Sequence, residues 1–509
     1  MWARHRLEWG TALAASVLGV IYLLLPPMGS DLAAQVARTG FFTAHGLTPV
    51  DLRWYAGVQQ FGYSLVSQPV MSLLGVRVTG VLTLIAGPVL LTMLLRRAGT
   101  VAVRPVPGAV LGTVAFAGNL ISGRVTYGMG VCLGLAALLL LTVDRGRALA
   151  GVAAFLAAAT SPVAGLFVGL AGTALILSRR YRQGLLVAVP AAVPLGLTAL
   201  LFGDGGWMNI SRTDTVQAVG TGLIVALLIP ARPIRIGALL SSAGVLAAAL
   251  VHTPAGLNAT RLAVMFGLPL LAACARLPRR WLVYPLVAVM VWWQPPVVAG
   301  DVRDIGNPSA DAGYFRPLLD RLAAEELTGR VEIPPTRSYW EAASLGGIPL
   351  ARGWLRQADI DRNPLFFTTV PGASGTGVEL TADSYRAWLD EQAVQFVAVP
   401  DVEISWSGRP EADLVAAGLP YLTPVWSGEH WRLYAVATPR PIVAAPATLV
   451  SQDGASIVLD APAAGDIAVR VRHHRWLTAS GGATVSADGD WTRLRLPAPG
   501  RYTLSSALF

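Results

Sequence analysis

Eleven apolar stretches follow one another between residues 9 and 298, and they constrain the fold more than anything else in the chain. They run roughly 9–27, 77–95, 105–121, 125–143, 147–161, 163–178, 184–202, 215–231, 233–251, 259–275 and 281–298. A membrane-crossing helix needs about 20 apolar residues, and backbone in lipid must satisfy its own hydrogen bonds, which favours helices. Only 14% of the residues are charged, against about 25% in an average soluble protein. The expected fold class is therefore a polytopic α-helical membrane protein of about 11 spans. The first stretch reads as a retained helix, because no small-residue cleavage site follows it. Residues 147–178 are too long for one helix and short for two; "TSPVAG" places the break at Ser161-Pro162.

Charge sets the orientation. Before residue 298 stand 21 arginines and six acids; after it, 18 arginines and 24 acids. With the N-terminus cytoplasmic, fifteen of the 21 arginines, Arg4 among them, lie inside and six outside, as the positive-inside rule asks. The odd span count then puts residues 299–509 outside the cytoplasmic membrane. The positive charge thus has a topological explanation, and no nucleic acid is expected. The chain contains no lysine, which excludes P-loops and Schiff-base chemistry; any phosphate must be held by arginine, whose planar fork suits it. Cys132 and Cys274 fall in apolar runs and read as core residues.

Three regions follow: a transmembrane domain over 1–298 with an outer loop at 28–76, a mixed α/β domain over 299–440, and a small β-rich domain over 441–509. In the second, "RVEIP" and "VQFVAVP" read as strands. "SADAGYFRPLLDRLAAEEL" and "TADSYRAWLDEQA" read as helices with Ser or Thr starts. In the third, "SIVLDAP", "IAVRVRHH" and "TRLRLPAPG" alternate as sandwich strands do.

The candidate site lies among the charges topology leaves outside: Asp31, Asp51, Asp204 and Asp214, with Arg38, Arg53, Arg77, Arg124, Arg212 and Arg261. In "DLAAQVARTGFF", Asp31, Gln35 and Arg38 fall at i, i+4 and i+7, one face of a short interfacial helix. The plainer role for Asp31 is a helix cap. Downstream, "DLRWYAGVQQFGYS" gathers Asp51, Trp54, Tyr55 and Tyr63 before the second span; such aromatics also serve as headgroup anchors. Arg261 and Arg124 stand at span boundaries, where a charge is costly and wants a partner, or snorkels to the headgroups.

The order of "GSDLAAQVARTGFFTAHG", "WYAGVQQFGYS", "NLISGRVTYGMGVCLGLAALLLL", "TSPVAGLFVGLAG" and "NATRLAVMFGLPLLAA" resembles GT-C-type glycosyltransferases, in particular actinobacterial polytopic members, over about residues 1–298. The resemblance implies transfer of a sugar from a polyprenyl-phosphate donor to a cell-envelope glycan or glycolipid acceptor. It implies Asp31 as general base, with Arg38, Arg261, Arg124, Gln35, Asp51 and Tyr55 as donor- or substrate-binding residues. It leaves a divalent metal open and assigns no metal ligand. Ser30 stands where many members carry a second acid, and Ser161 where many carry histidine. Two other classes stay open: a non-catalytic envelope scaffold, and a transporter of lipid-linked precursors.

Overall fold

The computed structural model describes residues 5–99 and 101–508. Arg4, expected on the inner face, lies outside them. The chain begins with α1 (Arg6–Leu24), α2 (Leu32–His45), the short paired strands β1 (Val50–Asp51) and β2 (Val58–Gln59), and α3 (Ser67–Leu74). Then come α4 (Val76–Arg97), α5 (Pro105–Ile121), α6 (Val125–Leu140), α7 (Arg147–Thr160), α8 (Pro162–Leu177) and α9 (Tyr181–Phe202). The helical part ends with α10 (Arg212–Leu228), α11 (Arg232–Leu250), α12 (Arg261–Cys274) and α13 (Val283–Trp293).

A helix occupies each of the eleven expected stretches. Five helices are long and apolar enough to cross a membrane, by length and composition: α1, α4, α9, α11, and α12 with the turn before it. Five shorter apolar helices, α5 to α8 and α13, lie among them. The break at 161 is where the sequence put it: proline cannot continue α7, and the Ser161 hydroxyl accepts the Ala164 N–H at 3.3 Å to start α8. Without a hydrophobic drive between helices in lipid, close approach relies on small residues. A Cβ on Gly184 of α9 would sit 2.5 Å from the Gly172 carbonyl of α8, so the two backbones touch.

Beyond α13 the chain passes through α14 (Ala299–Arg303) and α15 (Arg316–Ala323), the latter shorter than expected because two 3-10 turns at 308–310 and 312–315 precede it. A four-stranded sheet follows, built from β3 (Arg330–Glu332), β4 (Val394–Pro400), β5 (Leu422–Ser427) and β6 (Trp431–Val436), in the order β3-β4-β6-β5. β3 runs parallel to β4, with Val331 opposite Phe396; the other pairs are antiparallel. The helices α16 (Glu341–Ser344), α17 (Arg356–Arg362), α18 (Ala382–Glu391) and α19 (Arg409–Ala416) fill the connections, and α18 starts on a capping box of Thr381 and Ser384. The last strands are β7 (Thr448–Gln452), β8 (Ser456–Ala461), β9 (Gly465–Arg472), β10 (Leu477–Ala479), β11 (Thr484–Asp488), β12 (Trp491–Leu496) and β13 (Gly500–Ser506). They form two sheets, β10-β13-β8-β7 and β11-β12-β9, whose alternate side chains Ile457, Leu459, Val469, Leu494 and Leu504 fill one core.

The loop between α2 and α3 binds these parts together. Leu52 N–H donates to Gly454, Leu350 N–H to Arg53, and Arg472 N–H to Ala56. Trp54 and Tyr55 are fully buried in one core with Phe315, Trp340 and Trp431. This corrects the reading of those two aromatics as headgroup anchors: they pack against protein.

Candidate functional site

Asp31 lies in a turn closed by the Leu32 N–H on the Gly29 carbonyl, at 3.4 Å, and occupies the cap position of α2. Its side chain caps nothing, which corrects the plainer of its two expected roles. Instead, Oδ2 accepts from Arg124 Nε at 3.1 Å and from Arg261 Nη2 at 3.2 Å, and Oδ1 accepts from the Ser30 hydroxyl at 3.3 Å. Charge-assisted bonds to two guanidiniums outweigh one bond to a backbone N–H.

Each partner is delivered by a helix start. Arg124 precedes α6, in a turn that packs so tightly on α2 that a Cβ on Gly123 would lie 2.4 Å from the Leu32 nitrogen. The Asp31 N–H donates to the Ser122 carbonyl across the same contact, at 3.0 Å. Arg261 is the first residue of α12 and lies over the Tyr127 ring, 5.3 Å from its centroid. Two guanidiniums share the one Asp31 carboxylate, and two further carboxylates, Asp301 and Asp304, lie behind the turn at Ser30 and Gly29. The N-terminal ends of α6 and α12 favour an anion on the guanidinium side.

The expected face of Asp31, Gln35 and Arg38 is only partly realised. Gln35 is buried; its amide nitrogen donates to the Tyr63 hydroxyl, and its oxygen accepts from Thr126 at 2.7 Å. Arg38 takes no part in the Asp31 ion cluster. It is buried between the rings of Tyr63 (4.4 Å) and Trp54 (5.5 Å), and its Nε and Nη1 make no hydrogen bond among the described residues. Burial pushes the Arg38 pKa down and the Tyr63 pKa up. The periodicity failed because Asp31 stands before the helix, so its carboxylate turns to other elements.

Asp51 and Tyr55 serve the fold instead. Both Asp51 oxygens are taken by Arg53, at 2.9 and 2.7 Å, with Gln60 on the second at 3.0 Å. The Tyr55 hydroxyl donates to the Gly353 carbonyl and accepts the Leu355 N–H at 3.2 Å. Asp51 and Tyr55, expected as substrate contacts, are thus both bonded within the protein. Among the described residues no group of three or more His, Cys, Asp or Glu side chains is placed to hold a metal.

The sequence reading missed three residues behind the site. Trp354 donates its indole N–H to the Ser30 carbonyl at 2.9 Å, and Asp301 and Asp304 accept the N–H groups of Ser30 and Gly29 at 3.1 and 3.2 Å. Their signal was slight: two acids three apart, directly after the last apolar stretch.

Between α4, α6, α8, α10, α11 and α12 lies a cavity of about 400 Å³ with an almost wholly apolar lining. Leu262 and Ala263, next to Arg261, line it near the start of α12, and Cys274 lines it at the far end of that helix.

Fold and site define a helical membrane protein with C-terminal sheets, an Asp31–Arg124–Arg261 ion cluster and an apolar slot among its helices. No protein-family model matches the sequence. No curated protein matches it either. Among solved structures it is similar to the arabinofuranosyltransferase AftD from Mycobacteria, at 18% identity over 91% of this chain and 41% of that one (TM-score 0.47). A second AftD structure matches at 14% identity over 99% of this chain and 60% of that one (TM-score 0.46). The chain thus spans about half the length of these AftD chains. ArnT from Cupriavidus metallidurans, bound to undecaprenyl phosphate, matches at 13% identity over 86% of this chain and all of that one (TM-score 0.44).

Proposed function

We propose that the protein is a membrane glycosyltransferase that moves a sugar from a polyprenyl-phosphate donor to a cell-envelope glycan or glycolipid hydroxyl on the outer face. One observation carries the reading: Arg124 and Arg261 share the Asp31 carboxylate, and Arg261 directly precedes Leu262 and Ala263, which line the apolar slot. A lipid phosphate needs both halves of that arrangement, hydrocarbon for its tail and guanidinium for its head.

The donor phosphate takes over Arg124 and Arg261 and releases Asp31 Oδ2 from them. The acceptor hydroxyl gives its proton to the Asp31 carboxylate as its oxygen forms a bond to the anomeric carbon. The bond from that carbon to the phosphate oxygen breaks, and its electron pair leaves with the polyprenyl phosphate. The two arginines stabilise the charge that grows there. Polyprenyl phosphate is a good leaving group, so no second acid is required, and Ser30 beside Asp31 is compatible with the chemistry.

Glycolipid and glycan profiling tests the reading, in a deletion strain complemented at matched expression with Asp31→Asn or Arg261→Gln. Both variants are expected to reproduce the deletion profile. A wild-type profile from Asp31→Asn overturns the general-base role. Wild-type profiles from both variants, beside an altered deletion profile, favour the scaffold class.

A further inference from the structure

Buried carboxylates are costly unless their oxygens are satisfied, so what they accept shows what they hold in place. Asp301, in α14, is 5% exposed and forms no ion pair among the described residues. Its Oδ1 accepts the Ser30 N–H at 3.1 Å, and its Oδ2 accepts the Ser122 hydroxyl. Ser30 precedes Asp31, and Ser122 belongs to the turn that delivers Arg124. One carboxylate therefore ties together the two turns that carry the acid and one of its two cations.

Asp304, one helical turn on, holds the adjacent residue of the turn and also faces Arg337, whose Nε lies 3.9 Å from its Oδ1. Its Oδ2 accepts the Gly29 N–H at 3.2 Å and the Ser338 hydroxyl at 3.1 Å, and its Oδ1 accepts the Asn307 amide at 2.8 Å. Gly29 has φ +104°, and a Cβ there would meet the Ile121 carbonyl at 2.2 Å, so only glycine fits the turn. The Trp354 indole holds the Ser30 carbonyl from the other side. Residues 29–31 are thus fixed by donors and acceptors from α14, from the 350–355 loop and from the 122–123 turn.

We propose that Asp301 is a positioning residue, supported by Asp304: it holds the Asp31 turn against the Arg124 turn, so that the segment following the last apolar helix sets the geometry of the acid. This rests on the transfer reading above. The bond is an acceptor bond, which makes it separable from charge. Asp301→Asn keeps a carbonyl oxygen for the Ser30 N–H and presents an amide to Ser122, whose hydroxyl can accept. Asp301→Ala loses both.

The test uses the full chain in lipid nanodiscs. Hydrogen exchange over residues 28–31, thermal unfolding and binding of undecaprenyl phosphate are measured alongside complementation of a deletion strain. For Asp301→Ala the expected result is exchange at the turn faster by about tenfold, as one lost hydrogen bond gives. Its melting temperature falls modestly, since the bonds to Ser30 and Ser122 are lost, the folded protein still binds undecaprenyl phosphate, and complementation is lost. Asp301→Asn restores both exchange protection and complementation. Unaltered exchange in Asp301→Ala overturns the proposal, as does an Asp301→Asn variant no better than Asp301→Ala. If Asp301→Ala does not fold, Ser122→Ala replaces it, with a smaller rise in exchange over 28–31 expected and none overturning the proposal. Should Asp31→Asn and Arg261→Gln both complement, the transfer reading falls while the exchange result still judges the anchoring.

Discussion

Neutralising the acid should tighten the lipid while abolishing transfer. In the resting protein Asp31 Oδ2 occupies Arg124 Nε and Arg261 Nη2 at 3.1 and 3.2 Å, donors the phosphate needs. A phosphate held by the same guanidiniums would sit about 5 Å from the carboxylate. Two unit charges at about 5 Å repel by about 0.8 kcal/mol in water and about 3 kcal/mol at an effective dielectric of about 20. The side chains are 13%, 23% and 18% exposed, which places the cluster between those limits. Asp31→Asn therefore gains about 1–2 kcal/mol of phosphate affinity, a factor of about 5–30. Binding is read from titration of nanodisc-embedded protein with undecaprenyl phosphate, at low and high salt. The gain should shrink as salt rises, since the cluster is partly open to solvent. Turnover is read from the envelope glycolipid profile. Weaker binding in Asp31→Asn would show that carboxylate and phosphate do not compete for the two arginines, and the reasoning would fail.

Three further outcomes follow from groups away from the ion cluster. Glu341 and Glu411 are buried carboxyls whose pKa burial pushes up to about 7. Each contributes stability that is present below its unfolded value and lost as pH rises through about 7, whereas buried His474, pushed down to about 4, acts in the opposite sense over its own window. Two acids outweigh one histidine, so thermal unfolding followed by tryptophan fluorescence should give a higher melting temperature at pH 5.5 than at pH 8; a rise with pH would refute this. Arg352 faces Asp359, Glu411 and Glu332, all buried, so Arg352→Met should cost about 3–5 kcal/mol and appear as loss of folded protein in size-exclusion chromatography. Tyr55→Phe should lower the melting temperature, at about 1 kcal/mol per lost hydrogen bond, without altering undecaprenyl-phosphate affinity; a selective loss of affinity would restore Tyr55 as a ligand contact.

The helices were legible because apolar runs report directly on lipid. Asp31, Arg124 and Arg261 could each be singled out as boundary charges. Their partnership could not, since 93 and 230 residues separate the arginines from the acid, and no local period spans such distances. Helical spacing suggested Arg38 instead, and it misled because Asp31 precedes α2. Trp54 and Tyr55 looked like interfacial aromatics, and what buries them lies some 300 residues on, at Gly353 and Leu355. Asp301 and Asp304 were two acids among 24 in the C-terminal half, and only the fold brings them under the Asp31 turn.

The four acids expected outside in the helical half can be separated by what closes over them. Asp51 is sealed, 0% exposed, by Arg53 and Gln60. Asp204 is held by Arg362 and the Gln59 N–H, with both ion-pair side chains below 10% exposure. Asp214 bonds Ser211 in the first turn of α10, where an acid suits the helix end. A structural ion pair is best when dry and fully bonded, and those around Asp51 and Asp204 have that form. The Asp31 cluster gives one carboxylate to two guanidiniums and remains partly open on all three side chains, and Arg261 precedes Leu262, which lines the apolar slot. Stability alone would favour closing it, and the proposed exchange of a lipid phosphate accounts for its being open.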